Sequence, residues 1–263
     1  MQRAGRAVVV RPAQPCEKGD IGVKDKPLVA VTGASSGIGE AVARAFSQAG
    51  HPVLLMARRL DRMEALNLPR AVLRRVDVRD RAAISAAVAD AEAEFGPVDM
   101  MFANAGIARL GDIATQPPED WDEMIDINTK GMLNTVHSVM NAMIARKHGT
   151  LFMMSSIAGR KVYPDHTVYC GTKYFVHAIS ESLRGYLAPH GVRVIVLSPG
   201  IIDTEVLDGV RDPDTLANYK RDKEAIGGGI SADIVAALTL NAYNLPQRAI
   251  VQEIVITPTA QVY

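Results

Sequence analysis

Short apolar runs alternate with helical patterns of apolar residues along most of the chain. The runs are rich in Val, Ile, Leu and Met, and seven have the length of a strand: 28–31, 53–57, 71–78, 99–103, 150–155, 192–197 and 250–256. Apolar strands separated by helices are typical of βαβ units, in which helices cover a parallel sheet. The pattern therefore predicts an α/β fold, doubly wound, with a seven-stranded parallel sheet and helices on both faces.

Helical spacing of apolar residues marks the connections between these strands. After the first strand, Ile38, Val42, Ala45 and Phe46 fall on one helical face, and Gly50 is the residue type that commonly ends a helix. Longer helices are predicted at 80–94, 121–146 and 167–187.

The segment 200–229 departs from this alternation. It contains Asp, Pro and three consecutive glycines, and its apolar residues lack a long period. Loops that follow parallel strands line the ligand crevice of an α/β sheet, so we interpret this segment as a candidate substrate lid. A surface insertion without a role is the alternative that the pattern leaves open.

The composition is that of a globular chain with balanced charge. The 263 residues are 48% hydrophobic, enough for a sizeable core, so we expect a single domain over 27–263. Residues 1–26 are expected to be a poorly ordered N-terminal extension with weak transit-peptide character. Lys plus Arg and Asp plus Glu each number 29, so no basic field favours nucleic acid or an anionic membrane as a partner.

Cysteine usage and hydropathy indicate in which cellular compartment the protein is expected. Cys16 and Cys170 cannot form a disulfide framework and show no metal-ligand spacing, so we expect a reducing compartment and no metal site. No apolar run approaches the roughly 20 residues that span a bilayer. The sequence thus predicts a soluble, cytoplasmic protein whose partner is a small molecule.

A glycine-rich turn joins the first predicted strand to the first helix. Small residues there let the backbone approach a pyrophosphate, and the helix N-terminus offers unpaired N–H groups. Strand, glycines and helix in this order indicate a Rossmann-type dinucleotide site, although the spacing is GxxxGxG instead of GxGxxG. The candidate cofactor residues of this turn are Gly33, Ser35, Ser36, Gly37, Ile38 and Gly39.

The end of the second strand indicates which dinucleotide binds. NAD sites usually place an acid there for the ribose 2′-hydroxyl, whereas arginine accommodates the 2′-phosphate of NADP. Here the strand ends with Ala57, Arg58 and Arg59, which favours NADP. Solvated surface arginines are the alternative.

Two later strand ends supply weaker candidates for the same cofactor. A polar side chain after the third strand could reach the adenine, and small residues after the fourth permit close approach of the ribose, although such residues also favour plain turns. These candidates are Asp77, Val78, Asn104, Ala105 and Gly106.

A tyrosine and a lysine four residues apart carry the candidate chemistry. Tyr169 and Lys173 share one face of the predicted helix 167–187. Hydride transfer to a carbonyl needs an acid for the resulting alkoxide, and the reverse reaction needs a base. The pKa of a free phenol is about 10, and a nearby ammonium together with an oxidised nicotinamide is expected to lower that pKa. Ser156, at the end of a predicted strand, could donate a hydrogen bond to the developing oxyanion.

Taken together, these motifs resemble the short-chain dehydrogenase/reductase family, in its single-domain branch, across roughly 27–263. The matching elements are the glycine turn, the Asn-Ala-Gly turn at 104–106, the spacing of Ser156 and Tyr169, and the further positions Asn128, Lys173, Pro199, Gly200 and Thr204. The resemblance implies that Tyr169 is the general acid/base, that Lys173 holds the nicotinamide ribose, and that Ser156 orients the substrate.

The resemblance implies further roles. Asn128 would support a water in a proton relay, although an ordinary helical Asn is the alternative. The loop after the sixth strand would bind the nicotinamide through Pro199, Gly200, Ile202 and Thr204. Family members usually assemble through two long middle helices, so a homodimer or homotetramer is implied. The activity implied is NADP(H)-dependent oxidation and reduction of CH–OH and C=O groups.

The substrate is less well defined. The expected pocket residues are Ser156, Ile157, Tyr163, Ile201, Val206 and Leu207, which would form a mainly apolar wall. Nearby cations could bind a carboxylate, although surface cations are usually solvated: Arg109, Arg160 and His166. Residues 251–259 resemble the ending of NADP-dependent hydroxy-acid, amino-alcohol and clavulanate-type aldehyde reductases, which favours a small polar-headed substrate.

Three alternative functions remain open at this point. An NADP(H)-binding regulatory protein would keep the fold with little turnover, but such proteins typically lose one reactive residue. Epimerisation or dehydration is typical of relatives with a longer carboxyl-terminal region. A carrier-protein ketoreductase would need a basic docking patch that net charge cannot reveal.

Overall fold

A computed structural model describes residues 26–262. The predicted extension at 1–26 lies outside the described residues except for Lys26. Within the described part, seven strands form one sheet, and every pair is parallel. The strands are β1 (Leu28–Thr32), β2 (Val53–Ala57), β3 (Ala71–Arg75), β4 (Val98–Ala103), β5 (Gly149–Met154), β6 (Val192–Pro199) and β7 (Glu253–Ile256).

The strand order confirms the predicted doubly wound Rossmann-type fold. The order is β3-β2-β1-β4-β5-β6-β7, so the chain reverses direction across the sheet between β1 and β4. Ligands bind at such a switch point, outside the carboxyl ends of the strands. The helices are α1 (Gly37–Gln48), α2 (Leu60–Glu64), α3 (Arg81–Phe95), α4 (Pro118–Ile125), α5 (Met132–Arg146), α6 (Thr167–Leu187), α7 (Pro213–Ala225) and α8 (Ala232–Tyr243).

Helices cover both faces of the sheet, as the apolar strands require. Alternate residues of β1 belong to different cores: Leu28 and Ala30 pack with α3, α5 and α6, whereas Val29 and Val31 pack with α1 and α8. All five β1 side chains are buried, because the strand has a helical layer above and below it. No helix in residues 26–262 is long and apolar enough to cross a membrane.

Two predicted strands are longer than the observed ones. β3 ends at Arg75 and not at residue 78, because its only partner, β2, ends at Ala57, which lies opposite Arg75. β7 begins at Glu253 and not at residue 250, since its ladder with β6 covers only four residue pairs.

The predicted helix at 121–146 is interrupted. Helix α4 ends at Ile125, residues Asp126–Gly131 form a π-helical turn, and α5 begins at Met132. The apolar pattern continues through this turn, so the change in hydrogen-bond register has no counterpart in the sequence periodicity. Helix α6, in contrast, has the predicted bounds of 167–187.

The proposed lid at 200–229 contains more structure than its sequence indicated. A short 3-10 turn covers Glu205–Leu207, and α7 follows from Pro213. The side chain of Asp212 accepts a hydrogen bond from the Asp214 N–H and so caps α7. Thr215 is the one buried residue of α7, which explains why no amphipathic pattern was visible.

Candidate active site

A cleft of about 380 Å³ opens at the carboxyl ends of the strands, a size typical of ligand pockets. Most of the predicted site residues line it: Gly33, Ser35, Ser36, Gly37, Ile38, Arg58, Arg59, Asp77, Val78, Asn104, Ala105, Gly106, Ser156, Tyr169, Lys173, Pro199, Ile202, Thr204 and Val206. Seven predicted site residues lie outside the lining: Gly39, Asn128, Ile157, Tyr163, Gly200, Ile201 and Leu207. The candidate cations Arg160 and His166 lie outside it too.

The glycine turn needs its glycines for two different reasons. Gly33 and Gly37 have φ of +68° and +56°, the left-handed region that other residues rarely adopt. Gly39 is inside α1, where a Cβ would lie 2.3 Å from the carbonyl oxygen of Gly33. Gly39 therefore lets the helix pack against the turn and does not itself face the cleft.

Thr32 fixes the glycine turn to the Asn-Ala-Gly turn. Its Oγ1 accepts hydrogen bonds from the backbone N–H groups of Asn104 (3.0 Å) and Ala105 (3.2 Å). In return, Asn104 Nδ2 donates to the Thr32 carbonyl oxygen at 3.0 Å. Asn104 thus braces the two turns, which agrees with the structural alternative given for its turn, and Thr32 shares this role.

The N-terminus of α1 presents unpaired N–H groups to the cleft. Ser36 occupies the N-cap position, but its side chain makes no capping hydrogen bond. The first N–H groups of a helix have no partner within the helix, and the helix dipole makes that end attractive to anions. The turn can therefore hold a phosphate, as its sequence predicted.

Arg59 lies across this glycine turn. Its Nη2 donates to Ser36 Oγ at 2.7 Å, and its Nε donates to Ser35 Oγ at 3.3 Å. Arg58 is exposed and lines the same cleft, beside Ala57. Two guanidinium groups and two hydroxyls thus gather at one edge, which is the donor set that a phosphate monoester requires.

The residues that follow β3 line the same cleft as Arg58 and Arg59. Asp77 pairs with Arg79 at 2.6 Å, and this hydrogen bond lowers the pKa of the Asp77 carboxyl. Val78 packs against Gly131, where a Cβ would lie 2.6 Å from Val78 Cγ2. Both residues line the cleft although they follow the strand and do not end it.

Tyr169, Ser156 and Lys173 meet in the cleft. The Ser156 hydroxyl lies close enough to the Tyr169 phenol to lower its pKa through hydrogen bonding. Lys173 Nζ lies 5.6 Å from the centroid of the Tyr169 ring and donates to the Met154 carbonyl oxygen at 3.1 Å. Thirteen residues of sequence therefore separate two hydroxyls that the fold brings into contact.

Ser156 is held in place by its own backbone surroundings. Its Oγ accepts a hydrogen bond from the Ala158 N–H at 3.1 Å, which caps the short turn Ile157–Gly159. The same Oγ donates to the Pro199 carbonyl oxygen at 3.4 Å. These contacts fix the hydroxyl between β5 and β6, facing Tyr169.

The expected lowering of the Tyr169 pKa is wrong for the protein's own groups. Burial raises the pKa of Tyr169 to about 12, and the hydrogen bond to Ser156 opposes this rise. Part of the ring is exposed in the cleft, so water moderates the effect. Burial also lowers the pKa of Lys173 to about 8. The Lys173 Nζ donates to the Met154 carbonyl oxygen, and both the Tyr169 phenol and the Lys173 amine are mainly protonated at neutral pH.

Asn128 lies behind the cleft, within the π-helical turn, and is 1% exposed. Its Nδ2 donates to the Ile107 carbonyl oxygen (2.9 Å) and to Thr172 Oγ1 (3.2 Å), and its Oδ1 accepts from the Ile107 N–H (2.9 Å). Both amide donors are thus used within the protein, leaving one lone pair of Oδ1 for a water. The relay role of Asn128 stays a prediction.

The segment predicted to be a lid lies beside Tyr169 at one end of the cleft. Val206 lines the cleft, whereas Leu207 packs into a small apolar cluster with Val210, Tyr169 and Tyr219. Tyr219 comes from α7, and burial raises the pKa of its phenol, to which the nearby Tyr169 also contributes. Sequence reasoning missed Tyr219, because only the fold brings it beside a residue 50 positions earlier.

The predicted cations near the substrate end are all paired. Arg109 forms an ion pair with Glu123 at 3.0 Å. Arg160 pairs with Glu253, and His166 contacts Asp165 at 2.6 Å. These pairings favour the structural interpretation of the three side chains over carboxylate binding.

Gly200 also differs from its predicted role. A Cβ at this position would lie 2.2 Å from Gln261 Oε1, and that oxygen accepts a hydrogen bond from the Ile201 N–H at 2.9 Å. Gly200 therefore makes room for the carboxyl-terminal residues. Among residues 26–262, no group of three or more His, Cys, Asp or Glu side chains could hold a metal ion.

Comparisons with known proteins agree with this geometry. The family model described as short chain dehydrogenase matches residues 27–215. An uncharacterized oxidoreductase of Staphylococcus saprophyticus is 37% identical over 246 residues, which are 91% of this chain and 98% of the relative. An NADP-dependent 3-hydroxy acid dehydrogenase of Escherichia coli is 37% identical over 191 residues, 70% of this chain and 76% of the relative.

Solved structures give the same family resemblance. The closed form of serine dehydrogenase complexed with NADP+ superposes with a TM-score of 0.83 and 31% sequence identity. The match covers 90% of this chain and 96% of that one.

Proposed function

The chain belongs to the short-chain dehydrogenase family, and from this premise we propose an NADP(H)-dependent oxidoreductase that transfers a hydride between nicotinamide and a small carbonyl or alcohol. The observation that carries the proposal is the grouping of Tyr169, Ser156 and Lys173 in the cleft that also contains the glycine turn. A proton donor and a dinucleotide cradle thus share one cavity.

The residues present fit an NADP molecule. Unpaired N–H groups at the start of α1 suit the pyrophosphate, and Arg58 and Arg59 suit the 2′-phosphate. NADP is also bound by the similar serine dehydrogenase and used by the similar 3-hydroxy acid dehydrogenase. The remaining proposed contacts are Asp77 and Val78 for the adenine, Asn104, Ala105, Gly106 and Lys173 for the riboses, and Pro199, Ile202 and Thr204 for the nicotinamide.

When bound, the nicotinamide supplies or accepts the hydride. In the reductive direction, Tyr169 donates its phenolic proton to the substrate oxygen, a role that suits a phenol with a raised pKa. Ser156 donates a hydrogen bond to the same oxygen while negative charge develops there. Lys173 lies beside the Tyr169 ring with its Nζ on the Met154 carbonyl oxygen, a position from which it can hold the nicotinamide ribose next to Tyr169.

Replacing Tyr169 with Phe tests the assignment of the acid. We expect Tyr169→Phe to lower kcat with responsive ketones or aldehydes about 10²- to 10⁴-fold, because only the proton donor is removed. NADPH consumption, followed spectrophotometrically with NADH in parallel, gives kcat, and NADPH binding should stay unchanged.

The matched control is Tyr186→Phe, an exposed tyrosine on the same helix and outside the cleft. It should retain wild-type kcat. Equal NADPH consumption by wild type and Tyr169→Phe would show that the acid is misassigned. Tight NADPH binding without turnover on any carbonyl would instead favour a regulatory protein.

We also infer that residues 27–263 act as one catalytic domain and that the chain forms a homodimer or homotetramer. The family membership supports both inferences. Apolar side chains exposed on the two long middle helices support the second: Leu133 of α5 is 44% exposed and Tyr174 of α6 is 41% exposed.

A further inference from the structure

We call the side of the cleft formed by Ser35, Ser36, Arg58 and Arg59 the phosphate edge. The carboxylate of Glu205, a residue of the lid, lies among the arginines there. Glu205 Oε2 is 2.6 Å from Arg62 Nη1 and 3.3 Å from Arg59 Nη1. These contacts join residues more than 140 positions apart in the sequence. The hydrogen bond from Arg62, and then that from Arg59, holds the pKa of Glu205 below its usual range, so the side chain is anionic at neutral pH.

A short turn near the start of the lid positions Glu205. This residue begins the 3-10 turn Glu205–Leu207, directly after Thr204. Thr204 packs on the glycine turn, since a Cβ on Gly37 would lie 3.1 Å from Thr204 Cγ2. The lid therefore crosses the N-terminus of α1 at Thr204, and the carboxylate of the next residue, Glu205, faces the edge where Arg59 meets Ser36.

Arg59, one of the two arginines that Glu205 contacts, is also one of the two proposed to bind the 2′-phosphate. Arg59 already contacts Ser35 and Ser36 through two of its nitrogens and Glu205 through the third. A guanidinium offers five N–H donors in a fixed plane, and phosphate prefers to take them in pairs. A dianionic phosphate placed here would share Arg59 with a carboxylate of the same sign.

We propose that Glu205 is a specificity-determining residue that competes with the 2′-phosphate of NADP(H) for Arg59 and Arg62. This inference rests on the proposed NADP(H) function. Before the cofactor binds, the carboxylate fastens the start of the lid to the phosphate edge. A 2′-phosphate displaces it and thereby releases the lid turn, whereas NAD(H), which lacks that phosphate, leaves the contact intact.

The expected effect is modest, because the three side chains are between 43% and 46% exposed. Ion pairs of this kind typically contribute between zero and about 1 kcal/mol, which corresponds to at most about fivefold in an equilibrium constant. Removing the Glu205 charge should therefore tighten binding of 2′-phosphorylated ligands about two- to fivefold. Ligands without the 2′-phosphate should be unaffected.

Binding measurements on Glu205→Gln test the competition without relying on turnover. Dissociation constants for NADPH, NADH, 2′,5′-ADP and 5′-ADP are measured by calorimetry or nicotinamide fluorescence at low ionic strength, where exposed charges are least screened. We expect tighter NADPH and 2′,5′-ADP binding, with the NADH and 5′-ADP values unchanged. Glu224→Gln is the matched control, because Glu224 is an exposed acid of α7 that does not line the cleft.

Three outcomes would overturn the inference. They are unchanged NADPH binding, weaker NADPH binding, which would make Glu205 a positioning partner of Arg59, and equal tightening of all four ligands, which would show a general charge effect. A wild-type protein that binds NADH as tightly as NADPH would refute the NADP preference itself. A wild-type protein that binds neither would refute the proposed function, so the failures are distinguishable.

Discussion

Lys173 carries an ammonium group into a nearly closed environment. The residue is 5% exposed, and its Nζ donates to the Met154 carbonyl oxygen. Burial lowers the pKa from 10.5 to about 8, because the charged form loses its hydration. Between these two values the unfolded chain binds more protons at this group than the folded chain. The free energy of unfolding must therefore rise with pH across this window.

Replacing Lys173 with Met tests this linkage. Wild type should gain stability relative to Lys173→Met as the pH rises from about 7.5 to about 10, by up to about 3 kcal/mol, since a tenfold change in proton affinity corresponds to about 1.4 kcal/mol. The reason is that Met has no proton to lose. Urea unfolding of both proteins at several pH values gives the difference in their free energies of unfolding. Tyr169 is present in both proteins, so the pH dependence that comes from its raised pKa cancels in this difference. A difference that does not vary with pH would contradict a buried, depressed lysine.

The proximity of the candidate catalytic residues was predictable, but their environments were not. The spacing of Ser156, Tyr169 and Lys173 was enough to place them in one cleft. The rise in the Tyr169 pKa was not predictable. It comes from burial, and the burial of the ring depends on lid residues that pack beside it only in the folded chain. Glu205 gave no signal either, since its contacts with Arg59 and Arg62 exist only after folding.

At the scale of elements, the lid is fastened to α4 by two arginines. Arg109 pairs with Glu123 and donates through Nη1 to the Gly209 carbonyl oxygen at 2.7 Å. Arg211, from the lid itself, lies 3.3 Å from Asp120, which is nearly buried. Because Gly209 also lines the cleft, these contacts set the position of this wall of the cleft.

A methyl group at Gly209 should loosen this attachment. The added Cβ would lie 1.6 Å from Arg109 Nη1, so the guanidinium must swing away and lose its bond to the carbonyl oxygen. Hydrogen bonds to charged groups contribute about 1.5–3 kcal/mol, so we expect Gly209→Ala to raise KM for substrate about tenfold or more. Steady-state kinetics should show kcat within about twofold of wild type.

The control for this prediction is Gly185→Ala, on α6, where a Cβ meets no atom within 4 Å. It should leave KM unchanged. If Gly209→Ala gave wild-type KM, the arginine contact would have no part in closing the cleft.

Element boundaries were predictable where periodicity and pairing agree. Helix α6 has an amphipathic pattern along its whole length, and its bounds match the prediction. The π-helical turn at Asp126–Gly131 was hidden, because one extra residue in a turn leaves the apolar pattern nearly unchanged. That turn contains Asn128, so the hidden π-helical turn also explains why the position of Asn128 behind the cleft was not predicted.

At the scale of the whole molecule, the two edges of the sheet have different roles. All strands are parallel, so their carboxyl ends share one edge, which carries the cleft. Fold class and the location of the site followed from the sequence for this reason. The polar cluster at the amino-terminal ends of the strands, here called the amino edge, was not predicted. Its side chains come from elements that are distant in the sequence and share no motif. They are Asp99, Thr150, Arg193 and Tyr243.

These amino-edge residues form a buried hydrogen-bonded cluster. Tyr243 donates its phenolic proton to Asp99 Oδ2 at 2.6 Å. Arg193 donates to Thr150 Oγ1 at 2.8 Å and to the Tyr243 carbonyl oxygen at 2.9 Å. The cluster ties the end of α8 to the starts of β4, β5 and β6. It lies at the end of the strands opposite the cleft, so its role is to stabilise the fold.

Tyr243→Phe separates stability from catalysis across the sheet. The substitution keeps the ring contact with Phe46 but removes the donor to a nearly buried carboxylate. Such a loss typically costs about 1.5–3 kcal/mol, which lowers the Tm of a chain this size by about 3–12 °C. Thermal unfolding followed by circular dichroism measures the loss, and kcat at about 25 °C should stay at the wild-type value because the cleft is untouched. A fall in kcat at a temperature where the variant is fully folded would show that the amino edge reaches the reacting centre.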